Sequence, residues 1–280
     1  MPLVATRELV DRAVAGRVAV GAFNIITLEH AEAVVEGAEQ VDAPVILQIS
    51  ENAVRFHHGR LAPIAAAARA IAEAAAVPVS LHLDHVEDDD LLRQVADVGL
   101  SSAMYDASML DYDKNVAATR AASAWAHANG IYLEAELGEV GGKDGAHAPG
   151  ARTDPGEAAQ FVAATGVDAL AVAVGSSHAM TDRSATLDHA LIAELARAVP
   201  VPLVLHGSSG VPDDELAAAV RTGMVKINIG TILNVEYTAG VREMLAADER
   251  VVDPRKYLRP ARSRIAATVG HLLNVLSLQT

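Results

Sequence analysis

Three histidines each follow a predicted strand directly, and together they have the composition of a metal site. His85, His178 and His206 come just past the third, sixth and seventh predicted strands. Three neutral imidazoles with one open coordination position are typical of catalytic zinc, which acts as a Lewis acid on a carbonyl or activates water. A single histidine in such a place is more often a hydrogen-bonded loop residue, so only the meeting of all three at one rim favours a metal. The chain has no cysteine, so a tight zinc site must be built from histidine.

Carboxylates at the same strand ends could add acid–base chemistry. Asp84 precedes His85, where it could accept a hydrogen bond from a ligand histidine or act as general acid and base on a substrate hydroxyl. Asp106 ends the fourth predicted strand, and Glu134 and Glu136 both lie on the fifth. Asp106 and Glu136 could therefore bind a second, mobile cation, or they could simply form hydrogen bonds at the rim.

Two glycine-containing segments indicate a phosphate site. They are Gly207-Ser208-Ser209-Gly210, after the seventh predicted strand, and Asn228-Ile229-Gly230-Thr231, which joins the eighth strand to a helix. Glycine lets backbone N–H groups approach an anion, and the N-terminal end of a helix adds a favourable dipole. Asn24 and Ser50, at the ends of the first two predicted strands, add polar groups nearby.

The elements that must position these residues alternate between short β-branched runs and alanine-rich helical stretches. Eight strands are predicted, at residues 18–23, 45–49, 79–83, 101–105, 131–137, 169–174, 203–205 and 225–229. A helix follows each of them, which implies parallel strands with right-handed crossovers, and eight such units close into a (β/α)8 TIM barrel. The strand C-termini then form one rim. No linker divides the chain, so residues 1–280 are expected to form a single α/β domain.

Composition excludes several classes of protein. The 280 residues carry 22 Lys and Arg against 36 Asp and Glu, a net charge of −14, which argues against nucleic acid binding. Without cysteine there is no disulfide scaffold or thiolate nucleophile. No apolar run is long enough for a membrane span, and Arg7 and Glu8 stand where a signal peptide would be apolar. We therefore expect a cytoplasmic protein that binds no membrane.

The motifs resemble those of the class II, zinc-dependent ketose-bisphosphate aldolases, which include the fructose and tagatose 1,6-bisphosphate enzymes. The resemblance starts at Val20-Gly21-Ala22-Phe23-Asn24, persists to Asp253-Pro254-Arg255-Lys256-Tyr257-Leu258 and keeps the order of motifs found in the family. The motifs between these ends are Leu81-His82-Leu83-Asp84-His85, Glu134-Ala135-Glu136-Leu137-Gly138, Gly141-Gly142, His206-Gly207-Ser208-Ser209-Gly210 and Lys226-Ile227-Asn228-Ile229-Gly230-Thr231.

The resemblance implies reversible C3–C4 cleavage of a ketose phosphate or bisphosphate to dihydroxyacetone phosphate and an aldehyde. It implies a catalytic zinc on His85, His178 and His206, and Asp84 as acid and base at the C4 oxygen. It also implies a homo-oligomer, a dimer or tetramer. By the same resemblance, Asp106 and Glu136 would bind a second divalent or monovalent cation, and Asp144 would stand in place of a mobile-loop glutamate that transfers a proton. The dihydroxyacetone phosphate half would be bound by Gly207, Ser208, Ser209, Asn228, Ile229, Gly230 and Thr231, with Asn24 and Ser50 nearby.

Several residues depart from the pattern of the family. Ala179 replaces a glycine after His178, and the usual tyrosine and lysine that follow are missing, which leaves Arg183 as a candidate phosphate contact. Gly230 replaces the aspartate of fructose-bisphosphate aldolases, and Asn234 stands where those enzymes place an arginine for the far phosphate. These changes favour a substrate other than fructose 1,6-bisphosphate.

Three alternatives remain. Lys226 lies two residues before Asn228 on the eighth predicted strand and could form a Schiff base, although an inward lysine paired with a carboxylate or phosphate is the more common case. A metal-dependent hydrolase is disfavoured because the first strand ends in Phe23-Asn24 and not in a His-x-His pair. A sugar-phosphate-binding barrel without turnover would be consistent with Ala179 and Asp144.

Overall fold

A closed barrel of parallel strands forms the centre of the protein, as seen in a computed structural model that describes residues 2–137, 152–177 and 181–279. The strands follow one another around the barrel in chain order, and the first pairs with the eighth. This arrangement confirms the predicted (β/α)8 barrel. The strands are β1 Val20–Asn24, β2 Val45–Ser50, β3 Val79–Val86, β4 Ser102–Tyr105, β5 Tyr132–Glu136, β6 Ala169–Ala171, β7 Leu203–Leu205 and β8 Met224–Ile229.

Helices cover the outside of the barrel and connect the strands. They are α1 Thr6–Gly16, α2 Leu28–Gln40, α3 Glu51–Phe56, α4 Leu61–Ala74, α5 Asp89–Asp97, α6 Tyr112–Ala128, α7 Pro155–Thr165, α8 His189–Ala198, α9 Asp213–Thr222, α10 Thr231–Ala247 and α11 Pro254–Leu276. The predicted helices are present, whereas the short α3 and the long α11 were not predicted. In the part of the chain that the structure describes, no helix is both long and apolar enough to span a membrane.

A cap and a close packing contact hold the two unpredicted helices in place. The side chain of Ser50 accepts a hydrogen bond from the backbone N–H of Ala53 at 3.1 Å, which caps the start of α3 directly after β2. Helix α11 packs closely on α2 at Gly37, where a Cβ atom would collide with the carbonyl of Ala266 and the side chain of Val269. A glycine in a helix thus marks the contact between two elements that are far apart in sequence.

Two apolar cores stabilise the barrel. The larger one lies between the strands and the surrounding helices and consists mainly of aliphatic side chains. The smaller one fills the N-terminal half of the barrel interior, where Leu9 and Val10 of α1 pack with Ile46, Met104 and Val204. Helix α1 therefore closes this end, and the opposite rim, formed by the C-terminal ends of the strands, stays open for a site.

Candidate active site

An irregularity in β3 brings two neighbouring residues into one site. Successive residues of a regular strand point to opposite faces, so Asp84 and His85 could not both line the interior of a regular barrel. The pairing of β3 with β4 shifts between Leu83 and Val86, and His85 has a φ angle of 49°. A non-glycine residue in this left-handed region costs on the order of 1–3 kcal/mol, and such conformations cluster at functional sites. Here the bulge turns His85 toward the same cavity as Asp84.

Two of the three predicted histidine ligands face each other across this cavity, and we call His85 and His206 the imidazole pair. Nε2 of His85 lies 2.9 Å from Nδ1 of His206. The other ring nitrogens meet carboxylates: His85 Nδ1 lies 2.7 Å from Asp106 Oδ2, and His206 Nε2 lies 2.9 Å from Glu134 Oε1. Because an ionised carboxylate only accepts, each ring donates its hydrogen atom outward, and the two facing nitrogens present lone pairs when the rings are neutral.

Two nitrogens at this distance hold a proton or a metal ion between them. Without metal, the neighbouring carboxylates favour a proton on His85. Burial lowers the pKa of His85, but the charge of Asp84, the hydrogen bond to Asp106 and the charge of Glu136 outweigh it and raise the pKa to about 10. For Asp106, burial alone would raise the pKa. The contacts of its carboxylate with His85 and Ser108 outweigh burial and hold this pKa far below its ordinary value.

The donors at this position fit a transition metal. Imidazoles whose second nitrogen is held by a carboxylate are the usual environment of a zinc-binding histidine. Two groupings have ligand atoms within 4.8 Å of one another and could hold a metal ion: Asp84 with the imidazole pair, and His85 with Asp106 and Glu136. The predicted residues His85, His206, Asp106 and Glu136 therefore lie together.

Sequence analysis missed the role of Glu134. This side chain is fully buried and bonds both His206 and Lys226, whose Nζ lies 2.8 Å from Glu134 Oε2. A signal was available, because positions 134 and 136 share one face of β5 and both carry glutamate. Lys226 points inward as expected, and its ammonium group is paired with a carboxylate.

Asp84 lies in a ring of amide donors. Asn24 donates from Nδ2 to Asp84 Oδ2 at 2.8 Å, and Asn228 donates from Nδ2 to Asp84 Oδ1 at 3.4 Å. Gln48 in turn donates to Asn24 Oδ1 at 3.3 Å, which fixes the orientation of that amide. Amides from β1 and β8 thus hold the two oxygens of the Asp84 carboxylate, and β2 supports one of these amides.

A cavity of about 540 Å³ opens above these groups and is large enough for a sugar phosphate. The residues predicted for the site that line it are Asn24, Ser50, Asp84, His85, His206, Gly207, Ser208, Ser209, Asn228, Gly230 and Thr231. The lining residues not predicted are Ile26, Asn52, Ala53, Phe56, Ser177 and Asn234. Among the described residues that line this cavity, none is a lysine or arginine.

One wall of the cavity has the form of an anion cradle. Gly207 adopts a φ of 66°, and a Cβ atom there would collide with the backbone of Ser177, so only glycine allows this turn. Helix α10 begins at Thr231, and the residue before it, Gly230, provides no side-chain cap. The N-terminal end of α10 therefore reaches the cavity at Gly230 and Thr231 without a cap from the residue before it, and the helix dipole favours an anion there. Ser209 fixes the turn beside this helix by accepting a hydrogen bond from Ile232 N at 3.1 Å.

Other predicted residues lie elsewhere. His178 and Asp144 fall outside the described residues. The side chain of Ile229 is buried and lines a neighbouring cavity behind the cradle. Arg183 lines that second cavity as well, where its guanidinium donates to the carbonyl of Val211 at 2.6 and 2.9 Å and pairs with Asp213 at 2.6 Å.

Comparison with known proteins agrees with this geometry. The family model described as fructose-bisphosphate aldolase class-II matches residues 4–279. The chain belongs to this family. A fructose-bisphosphate aldolase of Geobacillus stearothermophilus is 38% identical over 273 residues, which cover 96% of this chain and 95% of that protein.

Two solved structures extend the similarity of this class II aldolase to the fold. The YdjI aldolase of Escherichia coli K12 superposes with a TM-score of 0.85 at 29% identity, covering 98% of this chain and 97% of that one. A putative fructose-1,6-bisphosphate aldolase of Coccidioides immitis superposes with a TM-score of 0.84 at 28% identity, covering 97% and 95% of the two chains. The protein is thus an aldolase, a carbon–carbon lyase, and the described site contains residues able to hold a metal ion.

Proposed function

We propose that this aldolase reversibly cleaves the C3–C4 bond of a ketose phosphate to give dihydroxyacetone phosphate and an aldehyde. The observation that carries the proposal is the imidazole pair, with its two carboxylate partners, lying in the same cavity as Asp84 and the anion cradle. A carbonyl activator, an acid–base group and a phosphate anchor are the three functions that an aldol cleavage needs.

We propose zinc as the catalytic metal, with His85, His206 and His178 as its ligands. A bound zinc ion would supply a Lewis acid that polarises the ketone carbonyl of the substrate. The protein contributes the orientation of the rings, since Asp106 and Glu134 hold the outer nitrogens of the imidazole pair.

A second cation is proposed at Asp106 and Glu136, as either a divalent or a monovalent ion. Both carboxylates fall in one grouping with His85. Asp106 already accepts hydrogen bonds from His85 and from the hydroxyl of Ser108, the latter at 2.6 Å. A second cation would therefore compete with these contacts and bind more weakly than the first.

Asp84 is proposed to move the proton at the C4 oxygen. During cleavage the Asp84 carboxylate takes the proton of the C4 hydroxyl, the C4–O bond becomes the carbonyl of the aldehyde, and the electrons of the C3–C4 bond move toward C2. During synthesis Asp84 returns the proton. The amides of Asn24 and Asn228 donate to the carboxylate and keep it aimed at this oxygen. We propose Asp144 as the group that transfers the proton at C3.

The phosphate of the dihydroxyacetone half is proposed to bind at Gly207–Ser209 and Asn228–Thr231. Backbone N–H groups, hydroxyls and the end of α10 would hold it, because no basic side chain lines the cavity among the described residues. Asn234 and Asn52 present neutral amides in the cavity, and Phe56 is 66% exposed at its edge. This lining favours a substrate whose aldehyde half differs from that of fructose 1,6-bisphosphate.

A substrate panel with controlled metal content tests the function. The panel consists of ketose monophosphates, ketose bisphosphates and unphosphorylated ketoses, each assayed for aldehyde release with chelator-treated enzyme and again after zinc is restored. We expect cleavage of a ketose 1-phosphate that is lost with the metal and regained with zinc. Full activity after complete removal of metal would contradict the proposal. Tight binding without cleavage across the panel would favour the non-catalytic alternative.

The quaternary structure is a separate proposal. By family resemblance we propose a homo-oligomer, a dimer or a tetramer, which sedimentation equilibrium of the purified chain would distinguish from a monomer.

A further inference from the structure

A buried ion pair lies directly beneath the imidazole pair. Lys226 is 1% exposed and Glu134 is 0% exposed, and neither lines the cavity. Nζ of Lys226 lies 2.8 Å from Glu134 Oε2 and 2.7 Å from Asn228 Oδ1. A buried ammonium group is costly unless it is paired and hydrogen-bonded, so these two contacts are what allows a lysine at this position.

Lys226 determines the orientation of Asn228 because an ammonium group can only donate. The amide of Asn228 must turn its oxygen toward Nζ, which leaves its Nδ2 facing two atoms, His206 Nε2 at 3.0 Å and Asp84 Oδ1 at 3.4 Å. With the amide reversed, Asn228 would present a donor to a donor at Lys226 and an acceptor to the Asp84 carboxylate.

Lys226 also determines how Glu134 meets His206. Its ammonium group donates to Oε2 of Glu134, which leaves Oε1 to accept from Nε2 of His206 at 2.9 Å. Nδ2 of Asn228 also lies 3.0 Å from this nitrogen, but a hydrogen bond to a charged carboxylate is the stronger one, so the proton of His206 is kept on Nε2. The lone pair is kept on Nδ1, the atom that faces His85 at 2.9 Å.

We propose that Lys226 is a positioning residue of the metal centre, acting through Glu134 on the tautomer of His206 and through Asn228 on Asp84. The metal-binding part of this inference rests on the proposed function. The tautomer part is a property of the metal-free protein. Lys226 touches neither substrate nor metal in this account, and its partners hold its nitrogen away from the cavity, which distinguishes it from a Schiff-base lysine.

The test uses the full chain with ¹⁵N-labelled histidine and the variants Lys226→Met and Glu134→Gln, singly and combined. Lys226→Met alone leaves a buried carboxylate without its cation, so it risks failing to fold. The double variant removes both charges at nearly constant volume, so the test can still be made if the single variant does not fold. Ser123→Ala is the matched control, because Ser123 is a buried polar residue of α6 that bonds Gly166 O away from the site.

Long-range ¹H–¹⁵N correlation spectra of the metal-free proteins report the tautomer, with His206→Gln used for assignment. In the wild type and in Ser123→Ala we expect the proton of His206 on Nε2. In the double variant the new glutamine side chain can offer either its oxygen or its NH₂ group to His206, so we expect a mixture of tautomers. A wild-type His206 protonated on Nδ1 alone would overturn the proposal whatever the variants do.

Zinc affinity, measured by competition with a chromophoric chelator, is the second readout. We expect the folded double variant to bind zinc about 10- to 100-fold more weakly than the wild type, as is usual when the partner of a ligand histidine is lost. If the double variant keeps the wild-type tautomer of His206 and binds zinc within about twofold of the wild-type affinity, Lys226 is only a core residue and the proposal fails. If the wild type itself cleaves no substrate, the proposed function fails while the tautomer measurement still decides this inference.

Discussion

The two halves of the barrel interior have opposite character, although the same strands build both. In the N-terminal half, Val204 of β7 and Ile46 of β2 pack against α1. Two positions after Val204, the chain contributes His206, which meets His85 and Glu134. Since side chains alternate along a strand, one inward-facing row carries an apolar residue below and a polar residue above. Stability and chemistry are thus separated along the strands of one barrel.

The largest effect is expected from Asp84→Asn, a substitution in the C-terminal half of the barrel interior, which we call the upper half; the N-terminal half is the lower half. This change keeps the shape of the side chain but removes the carboxylate that is proposed to take the C4 proton. We expect kcat for cleavage to fall about 10²- to 10⁴-fold, the usual contribution of general acid–base catalysis. Steady-state kinetics with the zinc-loaded enzyme measures this, and thermal unfolding should show a melting temperature close to that of the wild type. Retention of kcat within about threefold would remove Asp84 from the mechanism.

A substitution in the lower half should show the reverse pattern. Ile46→Ala removes a fully buried side chain from the core beneath the site. We expect the free energy of unfolding to fall by about 2–5 kcal/mol because of the lost burial and the cavity left behind. The value of kcat/KM for the fully folded enzyme should be nearly unchanged. A large loss of kcat/KM in the folded variant would show that the two halves are coupled.

The pH dependence of zinc affinity tests the protonation of the upper half. The neighbouring carboxylates outweigh burial and raise the pKa of His85 to about 10 in the metal-free protein. Zinc must displace this proton, so zinc affinity should rise by up to about tenfold per pH unit between about pH 7 and 9. A chelator competition series across this range measures the slope, and a flat profile would mean that His85 is not a zinc ligand.

The stability of the metal-free protein should fall as the pH rises, whereas its zinc affinity should rise. The pKa of His85 is higher in the folded protein than its ordinary value of 6.5. Its stabilising contribution is therefore fully present below about pH 6.5 and is lost as the pH rises toward 10. Urea unfolding of the metal-free protein across this interval should show a falling free energy of unfolding. Zinc-loaded protein, in which the metal replaces the proton, provides the control and should lack this component.

The smallest effect is expected outside both halves. Arg12 pairs with Glu8 on the surface of α1, with both side chains well exposed. Arg12→Ala should change the free energy of unfolding by less than about 1 kcal/mol and leave kcat unaltered. A clearly larger loss of stability, measured by the same urea titration, would mean that the outer face of α1 supports the lower core.

The sequence was most informative about the rim. Short strands ending in polar residues predicted both the barrel and the rim at which Asp84, His85 and His206 meet, because the succession of strands and helices and the residue types at strand ends are local properties. The bulge at His85 could not be predicted, since it depends on the pairing of β3 with β4. The contact between Lys226 and Glu134 joins residues 92 positions apart and follows only from the closed barrel. The roles of His178 and Asp144 and the single domain stay predictions.

We propose that the C-terminal half of the barrel interior holds a zinc ion on imidazole nitrogens. Zinc-edge X-ray absorption of the protein loaded with one equivalent of metal tests it most directly. We expect scattering from two or more imidazole rings, and we expect His206→Gln to remove one of them. A zinc ion surrounded only by oxygen atoms, unchanged in His206→Gln, would place the metal elsewhere and contradict the account.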